Sequence, residues 1–319
     1  MQELKLHGFV SRKVGSGTFV AAKSDPGSHL FGLLIPELGQ TEIFGAICQG
    51  MMEAPHAMHH SLLWGNNADA EDKERDEVAE HLCQHYIKRK VSGVFFAPVE
   101  YSSTRFEANR RITDAFDKAG IPVVLLDRCV EPYPKRSRYD LVGIDNRRTA
   151  FHAAEHLIKC GARRLVFFAR PNSAPTVDAR AAGFREAIAS NSHGAEGFVR
   201  FGDAADEKLI RSILEKDRPD GFLCANDLTA GQLMHTLIAI GRRIPEEIRI
   251  VGVDDVNYAR LLPVPLTTER QPCREIGRMA LSAMLDRIED PGLPTRDILL
   301  GCELVVRKSC GLGPTSKNR

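Results

Sequence analysis

The chain has 319 residues, more than one typical hydrophobic core holds, which points to two lobes. A formal net charge of +1 gives no overall basic footprint, so the body of the protein is not built to wrap nucleic acid. Its eight cysteines form no CxxC pair and read as reduced core residues, and the amino-terminal MQELKLHGFVSRK has no apolar signal core, so a cytoplasmic protein that does not enter membranes is expected.

The first segment, LKLHGFVSRKVGSGTFVA at 4–21, places two short β-like runs around a turn containing Lys13, Gly15 and Gly17. The glycines do not make a phosphate loop, because no strand precedes them and no helix follows. A polar linker at 23–28 comes next. From residue 29 onward, apolar runs alternate with amphipathic helical patterns. Strands are predicted at 31–35, 61–64, 93–97, 122–126, 141–144, 165–169, 197–201, 221–225 and 249–253. Ile248 to Val253 is typical of them, a short β-branched run of the kind buried on both faces. Among the helices, one spans about 70–90 with Val78, Leu82 and Tyr86 at four-residue spacing, and another spans 146–160 and stops at Gly161. The alternation predicts an α/β fold of two doubly wound, parallel-sheet lobes.

Open α/β sheets bind ligands in the crevice beyond the carboxyl ends of their strands. Following those ends in turn gives Gln40 to Phe44, Asn66, Tyr101, Asp127-Arg128, Asn172 to Arg180, Asn226-Asp227 and Asp254-Asp255. The set suits a small polyhydroxylated ligand. Arg180 offers a planar fork of donors, Asn226 both donates and accepts, and Asp254 accepts from two hydroxyls at once. Gln271 reaches the same cleft from the return segment. Each has a plainer alternative: Arg180 could pair with Asp178 or Glu186, and Asn226-Asp227 could cap the next helix, with Asp227 the expected cap. Phe44, Trp64 and Tyr101 either pack in the core or line the cleft, where one aromatic face would suit a sugar. His81, Cys83 and His85 share a predicted helix but lack a third ligand at metal spacing, so no metal is expected. Without a nucleophile elbow or a GxGxxG after the first strand, neither an enzyme nor a cofactor is expected.

Eight motifs in order carry a resemblance: FGLLIP at 31–36, PVVLLDR at 122–128, IDN at 144–146, RAAGF at 180–184, CANDLTAG at 224–231, VGVDD at 251–255, LTTERQP at 266–272 and LVVRKSC at 304–310. From about residue 29 to 311 the chain resembles the effector-binding core of the lactose-repressor/galactose-repressor (LacI/GalR) family of transcription regulators. The resemblance implies three crossings between lobes, near residues 141–145, 263–265 and 291–294. One lobe would then hold 29–142 and 266–292, the other 143–264 and 293–311, with 312–319 a tail. It also implies that Arg180, Asn226, Asp254 and Gln271 hold the effector, with Asp127 a further polar wall. Cys273 departs from the large residue some members carry there, leaving that wall undefined.

Residues 1–22 resemble the wing of the gluconate-repressor (GntR) family of winged-helix domains, in which Arg12 and Lys13 would touch phosphate or the minor groove. The recognition helix of such a domain would lie upstream of Met1, so residues 1–319 alone are expected to bind no operator specifically. The implied role is the ligand-sensing part of a regulator that binds a sugar and modulates operator DNA binding. The other role open to this architecture is a transport-type sugar-binding protein. A homodimer is expected for a regulator reading two half-sites, with Ile47, Met51 and Met52 as candidate contacts.

Overall fold

The structure is a computed structural model that describes residues 10–13, 17–20, 27–35, 42–55, 57–65, 75–191 and 194–312. A short antiparallel hairpin comes first, β1 (Val10–Lys13) with β2 (Gly17–Val20), pairing Val10 with Val20 and Lys13 with Gly17. Then come β3 (Leu30–Leu34), β4 (Ser61–Trp64), β5 (Gly93–Phe96), β6 (Val123–Leu126) and β7 (Asp140–Ile144). They are followed by β8 (Arg164–Ala169), β9 (Glu196–Phe201), β10 (Gly221–Cys224), β11 (Arg249–Asp254) and β12 (Thr267–Arg270). Two strands close the chain, β13 (Asp297–Leu300) and β14 (Glu303–Val305). The helices are α1 (Glu42–Met52), α2 (Arg75–Arg89), α3 (Arg105–Lys118), α4 (Asn146–Lys159), α5 (Pro175–Ala189), α6 (Glu207–Asp217), α7 (Asp227–Ala239) and α8 (Cys273–Glu289). None among the described residues is long and apolar enough to cross a membrane.

The strands form two six-stranded sheets, ordered β13-β7-β6-β5-β3-β4 and β14-β12-β11-β10-β8-β9, all parallel except the β12–β14 pair. Each sheet thus begins with its first strand flanked by the second on one side and the third on the other, the arrangement whose reversal point opens a ligand crevice. Alternation of side chains along each strand divides the core between the two faces. In the first sheet, Phe31, Leu33, Phe95 and Leu126 meet Phe44 and Ile47 of α1 and Ile276 and Met284 of α8. Leu34, Val94, Phe96 and Leu125 face the other way, onto Tyr86 of α2 and Phe116 of α3. Ile47 and Met51, expected as dimer contacts, are core residues at 0% and 1% exposure, and only Met52 stands out at 55%.

Close helix packing depends on missing side chains. A Cβ on Gly277 would lie 2.0 Å from the Ile47 carbonyl oxygen, and one on Gly183 would lie 1.9 Å from that of Arg147. These two glycines let α8 settle on α1, and α5 on α4, backbone against backbone.

The pairing moves the lobe boundaries. β7 lies wholly in the first sheet, β12 belongs to the second and β13 returns to the first. The crossings therefore fall at Asp145, at Gln271-Pro272 and at Gly301-Cys302, not at the prolines of 263–265 and 291–294. Those prolines shape turns inside a lobe. The Pro265 carbonyl accepts from the Lys308 and Ser309 amides, and the Pro291 and Pro294 carbonyls accept from Arg287, which itself pairs with buried Asp140 of β7.

Candidate functional site

The two lobes meet where β5, β6, β8 and β11 end. Five non-glycine residues at or just past those ends have positive φ: Tyr101 (+62°), Asp127 (+66°), Asn172 (+54°), Asp254 (+126°) and Asp255 (+55°). Each such conformation costs about 1–3 kcal/mol and persists where surrounding structure imposes it, which concentrates these outliers at binding sites.

Arg180 is buried on α5. Its Nε donates to Asn146 Oδ1 at 2.8 Å and its Nη1 to the Ala225 carbonyl, so the guanidinium is fixed by the first residue of α4 and the end of β10. The alternative pairing with Glu186 does not occur, because Glu186 takes a bidentate bond from Arg147 instead. Arg180 acts electrostatically on both Asp127 and Asp254. Burial raises the Asp254 carboxyl to about 7, against the opposing pull of Arg180 and a 2.7 Å hydrogen bond from Gln271 Nε2. Burial likewise raises Asp127, opposed by Arg128 and Arg180. Two acceptor oxygens here, Gln271 Oε1 and Asp127 Oδ1, are buried without a hydrogen-bond partner. An unmet acceptor in a protein interior costs about 1–3 kcal/mol, which a ligand hydroxyl would relieve.

The two adjacent aspartates have separate fates. Asp255 is saturated by Arg270 and Arg307 and serves as a structural anchor. Asp254 holds only the Gln271 bond and faces a cavity of about 300 Å³, lined also by Ile43 and Ala46 of α1, Gln271 and Cys273. That volume lies at the small end of ligand pockets.

The expected cap of α7, Asp227, is not the residue that caps it. Asn226 has an extended backbone and caps α7, its Oδ1 accepting from the Thr229 amide at 2.9 Å. Asp227 instead points inward, accepting from Thr268 Oγ1 at 2.6 Å and the Val256 amide at 3.1 Å. Gly252 makes room for it, since a Cβ there would lie 2.2 Å from Asp227 Oδ1. Burial, then the nearby Asp254, pushes the Asp227 carboxyl well up.

The aromatic candidates separate as well. Phe44 is a core residue with the Arg128 guanidinium 5.5 Å from its ring centroid. Trp64 is exposed at the edge strand β4. Tyr101 is held between Arg75 at 5.2 Å and Arg170 at 4.5 Å, and its amide donates across the lobes to the Asn172 carbonyl at 2.8 Å. Sequence reasoning missed Glu100, whose carboxylate pairs with buried Arg128 and accepts from the Ala174 amide of the opposite lobe at 3.3 Å. It also missed that Asn146 of the IDN motif orients Arg180. Nothing in the PVEY stretch around Glu100 signals a partner in the other lobe.

Gln40 and Asn66 lie outside the described residues, as do the tip of the amino-terminal turn and the linker at 23–26. The hairpin backbone of β1 and β2 carries Arg12 and Lys13 on its first strand.

A family model described as a periplasmic binding protein-like domain matches residues 154–310. The chain is 26% identical over 294 residues to the ribose operon repressor of Halalkalibacterium halodurans, covering 91% of this chain and 82% of that protein. It is 27% identical over 325 residues to the arabinose metabolism transcriptional repressor of Geobacillus stearothermophilus, covering 96% and 84%. Among solved structures, the transcriptional regulator CelR–cellobiose complex superposes with a TM-score of 0.73 at 24% identity, covering 88% of this chain and 84% of that one. A LacI family transcriptional regulator from Enterococcus faecium with bound ribose gives a TM-score of 0.68 at 22% identity, covering 90% and 100%. The two-lobed α/β fold expected from the sequence is the fold of these structures.

Proposed function

We propose that this chain is the effector-binding part of a transcriptional repressor of the LacI/GalR type, taking a sugar between its lobes and thereby altering operator binding. One observation carries the reading: the buried group of Arg180, Asp254 and Gln271 sits at the converging strand ends of both lobes, and Gln271 Oε1 there has no hydrogen-bond partner. Unmet acceptors at the strand ends, with Asp254 and Gln271 lining a small cavity, match the several hydroxyls of a monosaccharide. The similar proteins named above are regulators and not enzymes, and two of them carry ribose and arabinose in their names, so pentoses come first among candidate effectors. The same names favour a regulator over a transport-type binding protein.

In this reading Arg180, Asp254 and Gln271 grip the ligand, Asp127 supplies a further acceptor, Asn226 lines the cleft while capping α7, and Tyr101 and Phe44 support the walls from behind their arginines. The β1–β2 hairpin is the wing of a GntR-type reader, with Arg12 and Lys13 giving salt-sensitive phosphate attraction. The protein works in the cytoplasm as a homodimer, its second copy covering the exposed Leu228, in the first turn of α7, and Leu261. Light scattering of the wild type and Leu261→Asp tests the dimer, and a wild-type monomer refutes it.

The deciding experiment for the effector is a thermal-shift panel of pentoses, hexoses, sugar acids, sugar phosphates and purines. A ligand at a hundredfold its dissociation constant adds about 2.7 kcal/mol of stability. A melting point raised by a sugar and unmoved in Asp254→Ala supports the site, and a response to purines alone overturns the sugar.

A further inference from the structure

The second lobe carries a group of soft donor atoms outside the cleft. His152, His156 and Cys160 recur every four residues along α4 and its C-cap, and so share one side of the helix. The chain returns to this side with the short helical turn Lys308–Cys310. There His156, Cys160 and Cys310 bring one imidazole nitrogen and two sulfurs within 4.8 Å of one another, with His156 Nε2 and Cys160 Sγ 3.4 Å apart. Tetrahedral zinc, with bonds of about 2.0–2.1 Å to nitrogen and 2.3 Å to sulfur, requires N···S and S···S edges of about 3.6 and 3.8 Å. One N···S edge, at 3.4 Å, is close to that value, and the other two edges lie within 4.8 Å.

A second observation points the same way. A recess of about 260 Å³ opens beside His156, lined also by His152, Cys302 and Glu269. Glu269 is 1% exposed, and its Oε1 has no hydrogen-bond partner. Its carboxylate acts electrostatically with His156 and with Cys302 of the same recess. An uncompensated carboxylate in such a place is costly unless a cation stands near it.

We propose that His156, Cys160 and Cys310 form a binding site for a thiophilic divalent cation of the zinc class, with its fourth position open toward the recess that Glu269 lines. Binding releases the two thiol protons and leaves each sulfur as a thiolate ligand. The ion fastens the turn Lys308–Cys310 to the first helix of the second lobe, apart from the sugar cleft.

The test uses the full chain, reduced and freed of metal, titrated with Co²⁺. One equivalent should bind with an intense thiolate-to-cobalt band in the near ultraviolet and the visible bands of tetrahedral cobalt, and Zn²⁺ should displace it stoichiometrically. Cys160→Ser and Cys310→Ser should each weaken binding by more than the about 10–100-fold that loss of a supporting partner costs. Cys48→Ser, in the first lobe, should leave the titration unchanged. Should Cys310→Ser fail to fold, His156→Ala decides: its side chain is half-buried, and losing it must weaken cobalt binding while circular dichroism stays native. The proposal is overturned if the wild type shows no thiolate band at one equivalent, if Cys160→Ser and His156→Ala titrate like the wild type, or if Cys160 and Cys310 join in a disulfide while zinc is present.

Discussion

A carboxyl group that titrates near neutrality inside a binding cleft makes affinity depend on pH in a predictable way. Asp254 ionises at about 7, and the proposed grip on sugar hydroxyls uses its carboxylate. If protonation abolishes that grip, the dissociation constant rises by a factor of one plus the ratio of protonated to ionised Asp254, which at pH 5 is about a hundredfold, or about 2.7 kcal/mol. The unliganded chain should respond in the opposite sense. Its folded carboxyl lies above the ordinary 3.8, so the associated stability is fully present below that value and is lost as pH rises through about 7. Calorimetry with the sugar found in the panel, at pH 5, 6, 7 and 8, measures the first effect, and thermal melts without sugar measure the second. Asp254→Asn should bind weakly and almost independently of pH. A flat wild-type affinity profile, or an unchanged slope in Asp254→Asn, would refute the role given to this carboxylate.

Arg180→Ala should lose measurable sugar binding and also destabilise the fold by about 2–4 kcal/mol, because Asn146 Oδ1 and the Ala225 carbonyl lose their donor; urea unfolding measures the loss, and an unchanged midpoint rejects it. Asp140 is fully buried between Arg287 and Arg296, so Asp140→Ala should cost about 3–5 kcal/mol. Although burial opposes it, the hydrogen bonds from Arg296 and Arg287 hold the Asp140 carboxyl below its ordinary value, so this stability should be present at neutral pH and disappear as acid titrates the group, which acid melts of wild type and variant will compare. Gly183→Ala places a methyl against the Arg147 carbonyl and should cost about 1–3 kcal/mol as α5 moves off α4; a variant as stable as the wild type would show that the helices do not pack this closely.

The doubly wound core was readable because strands such as Val94 to Phe96 and Val123 to Leu126 are unbroken apolar runs that only a two-sided burial explains. Two of the three crossings were not. Proline reports a local restriction of backbone and says nothing about which donors its carbonyl meets, a matter settled for Pro291 and Pro294 by nearby Arg287 and for Pro265 by Lys308, 43 residues on. β13 and β14 also escaped notice, being short edge strands with half-exposed side chains. At Asn226-Asp227 both residues make good caps, and only the extended backbone of Asn226, together with the space above Gly252, assigns the job. The four-residue spacing of His152, His156 and Cys160 was visible on the predicted helix, but Cys310 lies 150 residues beyond Cys160 and joins them only through the tertiary fold.

Arg180 does not hang from its own helix alone. Asn146, which holds its Nε, is the first residue of α4 and directly follows Asp145, where the chain first passes from one lobe to the other. Asn146, Arg180 and Ala225 all belong to the second lobe, so a rotation about that passage carries the aimed guanidinium as a unit and changes its distance from Asp127 of the first lobe, the partner across the cleft for Arg180. Grip and lobe angle become one mechanical coordinate: an arrangement that favours the sugar sets the angle, and a partner that imposes a different angle loosens the grip. Reciprocity between ligand and partner, typically about 1–3 kcal/mol in regulators, needs no longer chain of intermediaries than these two side chains.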